Sequence, residues 1–518
     1  MNASLSPLVI LGIIAVYFAV LVAISFLTSR GQSDNDDFFL AGRKSPWPLV
    51  AVGMIGASLS GVTFISIPGA VGAGGTNQAF SYMQMVFGYL LGYLFIAVVL
   101  LPLYYRLGLT SIYEYLRTRI GYDGYKIGAF YFLLSRTIGA AFRLFLVAIV
   151  LQEFVMDAFG VPFVGTVAIT IVLIWLYTYR GGIKTIVYTD TLQTVCMLLA
   201  AGLTVYYIGG ALETDLGGMV NLIRNSDYGQ LFFFEGGWSD PNNFFKQFFS
   251  GALITIVMTG LDQDMMQKNL SMPSVGDAQK NMAAFSFVLI FANLLFLALG
   301  ALLYLYAARV GLTLPEASDQ VYPTIALRHL PPAAGVLFIL GLVAAAYSSA
   351  DSALTALTTS FCVDFLGMQE APPEGQTTNV AENKQRRFYV HVGFSVLLLV
   401  VIMVFRLIDD DAVINLLFKA AGYTYGPLLG LFAFGLFTRL RARERVFIGG
   451  RSFPVLLLVC LLSPVLSFLV DYYSAELLAG FKFGFFILAF NGLLTFLGLV
   501  ALSDFGDLTE APGGAEDA

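Results

Sequence analysis

Apolar runs long enough to cross a bilayer recur from one end of this sequence to the other, which leaves few folds open. A helix needs roughly 20 apolar residues to span the hydrocarbon. Thirteen such runs lie at about 7–29, 47–72, 79–105, 126–157, 161–179, 185–211, 244–266, 279–308, 333–366, 388–408, 412–438, 453–473 and 482–502, numbered spans 1–13 below. Lipid offers backbone groups no partners, so runs of this length select helices. Hydrophobic residues make up 58% of the 518 and charged residues 12%, too little charge to cover a soluble chain. The expected fold class is an all-α polytopic membrane protein. The first run is too long for a signal peptide and no basic segment precedes it, so it reads as a retained helix.

Lysine and arginine sort by connector. The connectors after spans 1, 3, 5, 7, 9 and 11 carry 19 of them, Lys268 included; the other connectors carry Arg224, Arg309 and Arg328. The positive-inside rule then puts the basic set in the cytoplasm, the N-terminus outside and the C-terminus inside, in a plasma or inner membrane. The formal charge of −6 is sorted by side and says little of partners, and no basic block suggests nucleic acid. Cys196, Cys362 and Cys460 form neither a disulfide framework nor a metal knuckle. No metalloprotease motif or nucleophile elbow occurs, so an enzyme is not expected. A channel would want a repeated pore lining, and a sensor would want more than the short tail after Leu502. The connector at 212–243 is expected to form a short surface helix or flap. The stretch at 367–385 is expected to be flexible, and the acidic tail at 503–518 disordered.

Three features inside the spans carry chemistry. In span 2, Gly53-Met54-Ile55-Gly56-Ala57-Ser58-Leu59-Ser60-Gly61 is rich in small residues, which suits either a broken helix or a tight helix contact. In span 9, Ala345, Ser348, Ser349 and Ser352 fall within roughly a 100° arc of one helical face. Hydroxyls there offer oxygen to a hard cation, or bond their own preceding carbonyls. Asp351 beside them is an intramembrane carboxylate, a rare and usually functional residue. Arg136 and Arg143 in span 4 and Lys419 in span 11 are cations expected to be buried. They call for an anionic solute or for acidic partners such as Asp351, Glu153 or Asp262.

Six segments resemble the sodium/solute symporter family, in the family's order. They are Ser33–Arg43; Leu109-Thr110-Ser111-Ile112-Tyr113-Glu114-Tyr115-Leu116; Gly181-Gly182-Ile183 with Tyr188-Thr189-Asp190-Thr191-Leu192-Gln193; Asp262-Gln263 with Gln267-Lys268; Tyr347–Ser352; and Gly426–Phe432. The resemblance implies the LeuT-type fold, with five-helix inverted repeats at about 47–211 and 244–438 in a single transmembrane domain. It implies a symporter working by alternating access on a small solute, with one or two sodium ions and a monomeric chain.

Carried over residue by residue, one sodium site falls on the carbonyls of Gly56, Leu59 and Ala345 and the hydroxyls of Ser348 and Ser349. A second, present in part of the family, falls on Asp190, Ser348 and Ser352, with Asp351 departing from the family's hydroxyl. The substrate is expected beside the break in span 2, at Ser58, Ser60 and Thr63, with Tyr82 and Gln84 of span 3 facing them. Relatives resembling sialic acid transporters hold a carboxylate with an arginine on the helix of span 4. Arg136, Arg143 and Lys419 therefore point to an organic anion: a sialic acid, another sugar acid or a monocarboxylate. A neutral sugar or amino acid is the alternative. Asp262 and Gln263 are expected to serve an inner gate.

Overall fold

The computed structural model describes residues 6–28, 35–74, 76–368, 380–407, 413–448, 451–478 and 480–508. Among them, nine unbroken helices are long and apolar enough to cross a membrane: Pro7–Thr28, Tyr82–Arg106, Tyr122–Phe154, Gly182–Ala211, Val275–Val310, Pro332–Phe365, Glu382–Phe405, Val455–Tyr472 and Gly484–Ala501. Three more spans are bent pairs: Trp47–Ser58 with Gly61–Ala73 at 55°, Phe244–Gly260 with Gln263–Leu270 at 62°, and Leu417–Thr424 with Gly426–Phe437 at 45°. Phe163–Thr178 is a shorter apolar helix at the place of span 5. Each expected run is met by one of these segments, and the bent pairs are spans 2, 7 and 11.

Burial separates centre from rim. Spans 4 and 9 each bury 78% of their most apolar window against protein, whereas spans 1, 10 and 12 bury 28%, 22% and 22%. The rim helices present residues such as Leu8, Val16, Leu462 and Val465 outward, as a lipid-facing surface requires.

The glycines of span 2 serve both readings of that stretch. A Cβ on Gly53 would stand 3.1 Å from Asp190 Cβ, and one on Gly56 would collide with Thr194 Oγ1. Small residues thus let span 2 lie directly on span 6. The helix then breaks. Leu59 N–H donates to Ile55 O at 2.7 Å as the last bond of the first half, and the second half opens with Phe64 N–H to Ser60 O at 3.0 Å. Leu59 and Ser60 are extended between them. In span 7, the Asp262 side chain caps the second half by accepting from Asp264 N–H at 3.0 Å. In span 11, Pro427 sits in the first turn of the second half, where its missing N–H costs nothing.

The connector after span 6 forms the expected surface helix, Leu216–Arg224, capped by Asp215 accepting from Gly218 N–H at 2.8 Å. The acidic tail needs correction at its start. Ser503–Leu508 is a strand paired antiparallel with Leu440–Ala442. Residues 509–518 lie outside the described residues, as does most of the stretch expected to be flexible at 367–385, where the helix of span 10 already begins at Val380.

Gly182 shows why a glycine stands at this point of one family-like motif. Its φ is +50°, and an added Cβ would collide with the Phe38 backbone carbonyl and stand 2.8 Å from Phe38 Cα. The first loop packs against span 6 only because that side chain is missing. Gly182→Ala is expected to lower the thermal unfolding midpoint in detergent. Gly202→Ala, where a Cβ meets nothing within 4 Å, is expected to leave it unchanged or raise it. Equal midpoints for the two variants would contradict this packing.

Candidate functional site

The break in span 2 borders a cavity of about 710 Å³, mouth included. Ser58, Ser60, Thr63, Tyr82, Arg136 and Arg143 all line it, so six of the eight expected substrate residues are brought together. Sequence reasoning missed Tyr89, Thr255, Thr259 and Asn293, which line the same cavity. Tyr89 could have been found from spacing, since it lies two turns along span 3 from Tyr82. The two hydroxyls are 2.9 Å apart. The threonines and Asn293 sit on spans 7 and 8 with no signal of their own.

Two expected substrate residues are placed elsewhere. Lys419 is exposed, not a buried cation. The half-helix that carries it turns Leu417, Phe418 and Ala421 inward, and at 100° per residue Lys419 falls on the opposite face. Gln84 is fully buried but occupied: its amide nitrogen donates to Asn242 O at 2.8 Å and to Ser81 O at 3.2 Å, and its oxygen accepts from Phe233 N–H at 3.0 Å. It pins the connector after span 6 onto span 3 and does not line the cavity.

The donors proposed for the first sodium ion lie on spans 2 and 9. The carbonyls of Gly56 to Leu59 lie in the last turn before the break, where no helical N–H follows to take them. An added Cβ on Gly56 would stand 3.1 Å from Ser348 Oγ, so that backbone and that hydroxyl are neighbours. Ser348 and Ser349 are each 1% exposed. Ser348 Oγ donates to Asp190 Oδ1 at 2.8 Å, and Ser349 Oγ accepts from Arg143 Nη1 at 3.0 Å. Both oxygens keep lone-pair capacity for a hard cation.

A chain of buried charge runs beneath the cavity. Arg136 pairs with Asp264 and lies 3.9 Å from Asp262. Tyr425 donates to Asp262 Oδ2 at 2.7 Å. Lys268, 1% exposed, pairs with Asp190 Oδ2 at 2.7 Å and lies 3.9 Å from Asp264 Oδ1. Its position among the loop cations is corrected by this. Span 7 does not end at about residue 266 but continues through the half-helix Gln263–Leu270, all eight residues of which are buried. Asp262 and Gln263 are buried with it. Gln263 donates to Thr110 O at 2.7 Å and accepts from Ile112 N–H at 3.0 Å.

Asp351 does not join Asp190 as a shared ligand set. Its Oδ2 accepts from the Tyr177 hydroxyl at 2.7 Å and its Oδ1 from Ser352 N–H at 2.5 Å. Glu153 meets Arg328 at 3.2 Å at the surface. Of the arginines expected to find acidic partners, Arg136 has them. Arg143 has no carboxylate within ion-pair distance among the described residues, and its Nε has no hydrogen-bond partner.

Comparison with known proteins places this arrangement. The sodium/sialic acid symporter NanT of Aliivibrio fischeri is 25% identical over 452 residues, covering 84% of each chain. The sodium/sialic acid symporter SiaT of Proteus mirabilis is 23% identical, covering 82% of this chain and 83% of its own. A solved substrate-bound, outward-open Na+-coupled sialic acid symporter superposes with a TM-score of 0.77 at 18% identity, over 95% of this chain and 97% of its own. That likeness establishes the LeuT-type fold. A profile of the Sodium:solute symporter family matches residues 38–450. This multi-pass membrane protein, a sodium-coupled transporter of a small solute, belongs to the sodium:solute symporter family.

Proposed function

We propose that the chain carries a carboxylate-bearing solute, a sialic acid or a chemically similar sugar acid, together with sodium. Arg143 is the observation that carries this reading. It is a guanidinium only 8% exposed, it lines the cavity at the break of span 2, and the described residues place no carboxylate within ion-pair distance of it. A buried, unpaired cation is expensive, and a planar guanidinium matches a carboxylate in two parallel hydrogen bonds. Arg136 is already paired to Asp264, so Arg143 is the arginine left to take a ligand. Ser58, Ser60 and Thr63 beside it suit the hydroxyls of a sugar. The names of the two sialic acid symporters point the same way.

Coupling has a short path in this geometry. Arg143 donates to Ser349, one of the hydroxyls proposed for sodium, so an anion at Arg143 and a cation at Ser349 stabilise one another across a few ångströms. Gly56, Leu59, Ala345 and Ser348 complete that cation site from the break and from span 9. Residues 47–211 and 244–438 form the two inverted repeats in this reading. Each opens with a bent span, 55° in span 2 and 62° in span 7, and their relative rocking gives alternating access. The basic connectors face the cytoplasm, since they still far outnumber the rest after Lys268 is removed from the count. One chain supplies every donor, so a monomer suffices.

Proteoliposomes with an inward sodium gradient are expected to accumulate N-acetylneuraminate, and a potassium gradient is expected to give none. Uptake indifferent to sodium would contradict the symport reading. Arg143→Ala is expected to raise KM for the carboxylate about 10- to 100-fold, the worth of a charge-assisted pair of about 1.5–3 kcal/mol. An unchanged KM would remove Arg143 from the solute site.

Ser348→Ala is expected to raise the sodium concentration for half-maximal uptake at least about tenfold. An unaltered sodium dependence would remove Ser348 from the sodium site.

A further inference from the structure

The donor set that would hold a second sodium ion already holds a cation. Lys268 Nζ lies 2.7 Å from Asp190 Oδ2 and 2.7 Å from Ser352 Oγ. Ser352 Oγ donates to Asp190 Oδ2 at 3.2 Å, and Ser348 Oγ donates to Asp190 Oδ1 at 2.8 Å. Three of the four residues expected around a second sodium are thus bonded to one another, and the ammonium takes two of them. The fourth, Asp351, is turned toward Tyr177 and the Ser352 N–H. Asp264 Oδ1, 3.9 Å from Nζ, stands on the ammonium's other side. The pair is closed to water: Asp190 is 0% and Lys268 1% exposed.

We propose that Lys268 serves as a built-in cation in place of the second sodium, so that the protein binds one sodium ion rather than two. An ammonium has three donors and no acceptor, and it satisfies a carboxylate and a hydroxyl at the distances seen here. A sodium ion placed on the same carboxylate would stand within about 4 Å of it, where like charges in a poorly solvated interior repel strongly. Because the ammonium is tethered to the second half of span 7, it stays with Asp190 through every cycle and carries no charge across the membrane. The same half-helix bears Asp264, which holds Arg136 at the cavity wall, so the built-in cation also fixes the side chains under the solute. The inference rests on the sodium-coupled reading of the family and refines its stoichiometry.

Equilibrium binding of radioactive 22Na+ to the purified, detergent-solubilised protein tests it without need of a solute. The expected count is one sodium per chain with a Hill coefficient near 1. Lys268→Ala is expected to open the vacated position and raise the count to two, and Lys268→Ala combined with Asp190→Asn to return it to one. Two sodium ions bound by the unmodified protein would overturn the inference while leaving the symport reading intact, and this count decides even if Lys268→Ala fails to fold. A Lys268→Ala protein that folds and still binds one would also overturn it. No sodium bound by the unmodified protein would overturn the sodium reading on which the inference rests.

Discussion

Charged side chains shut away from water persist only where other charges and dipoles receive them, and that demand organises the half-helix Gln263–Leu270. Asp264 and Lys268 stand one turn apart on it with almost no exposure. Removing one partner of such a buried pair costs about 3–5 kcal/mol, so each charge fixes the element that answers it. Lys268 draws in span 6 through Asp190 and span 9 through Ser352, while Asp264 draws in span 4 through Arg136. The uncharged residues do the same more weakly. Gln267 donates to Phe39 O of the first loop at 2.6 Å, and Gln263 clasps Thr110 and Ile112. Tyr425, at the break of span 11, reaches Asp262. Of the six family-like segments, scattered along the chain, one is this short helix with its cap and four others supply its partners.

That convergence explains what could be read from sequence. The apolar runs needed only composition and length. The serine face of span 9 followed from helical periodicity, and the packed, broken span 2 from its small residues. Lys268 escaped because a hydropathy window stops where polar residues cluster, and Gln263–Leu270 is mostly polar yet buried. The spacing of Asp264 and Lys268, four residues apart just past Gly260, was the available signal: an i,i+4 pair at a glycine-marked break. Lys419 and Gln84 failed for another reason. Membership of a span does not say which face a side chain occupies, and one residue of register is 100° of rotation.

The stoichiometry sets what the transporter can achieve. Each charge crossing 100 mV is worth about 2.3 kcal/mol, and each tenfold gradient about 1.4 kcal/mol. One sodium ion moving with one carboxylate carries no net charge, so the membrane potential drops out and a tenfold sodium gradient supports about tenfold accumulation. Two sodium ions would make the same cycle electrogenic and much steeper. In the proposed one-sodium cycle, a lysine in the second position would trade concentrating power for independence of the membrane potential.

In the proposed mechanism, a carboxylate at Arg143 and a sodium ion at the break of span 2 bind as a mutually stabilising pair. Isothermal titration of the purified protein with N-acetylneuraminic acid and with its methyl ester, in sodium and in potassium chloride, tests it most directly. The acid is expected to bind measurably in sodium, at least about tenfold more weakly in potassium, with a comparable loss for the uncharged ester. Equal affinity for acid and ester, or equal affinity in the two salts, would contradict it.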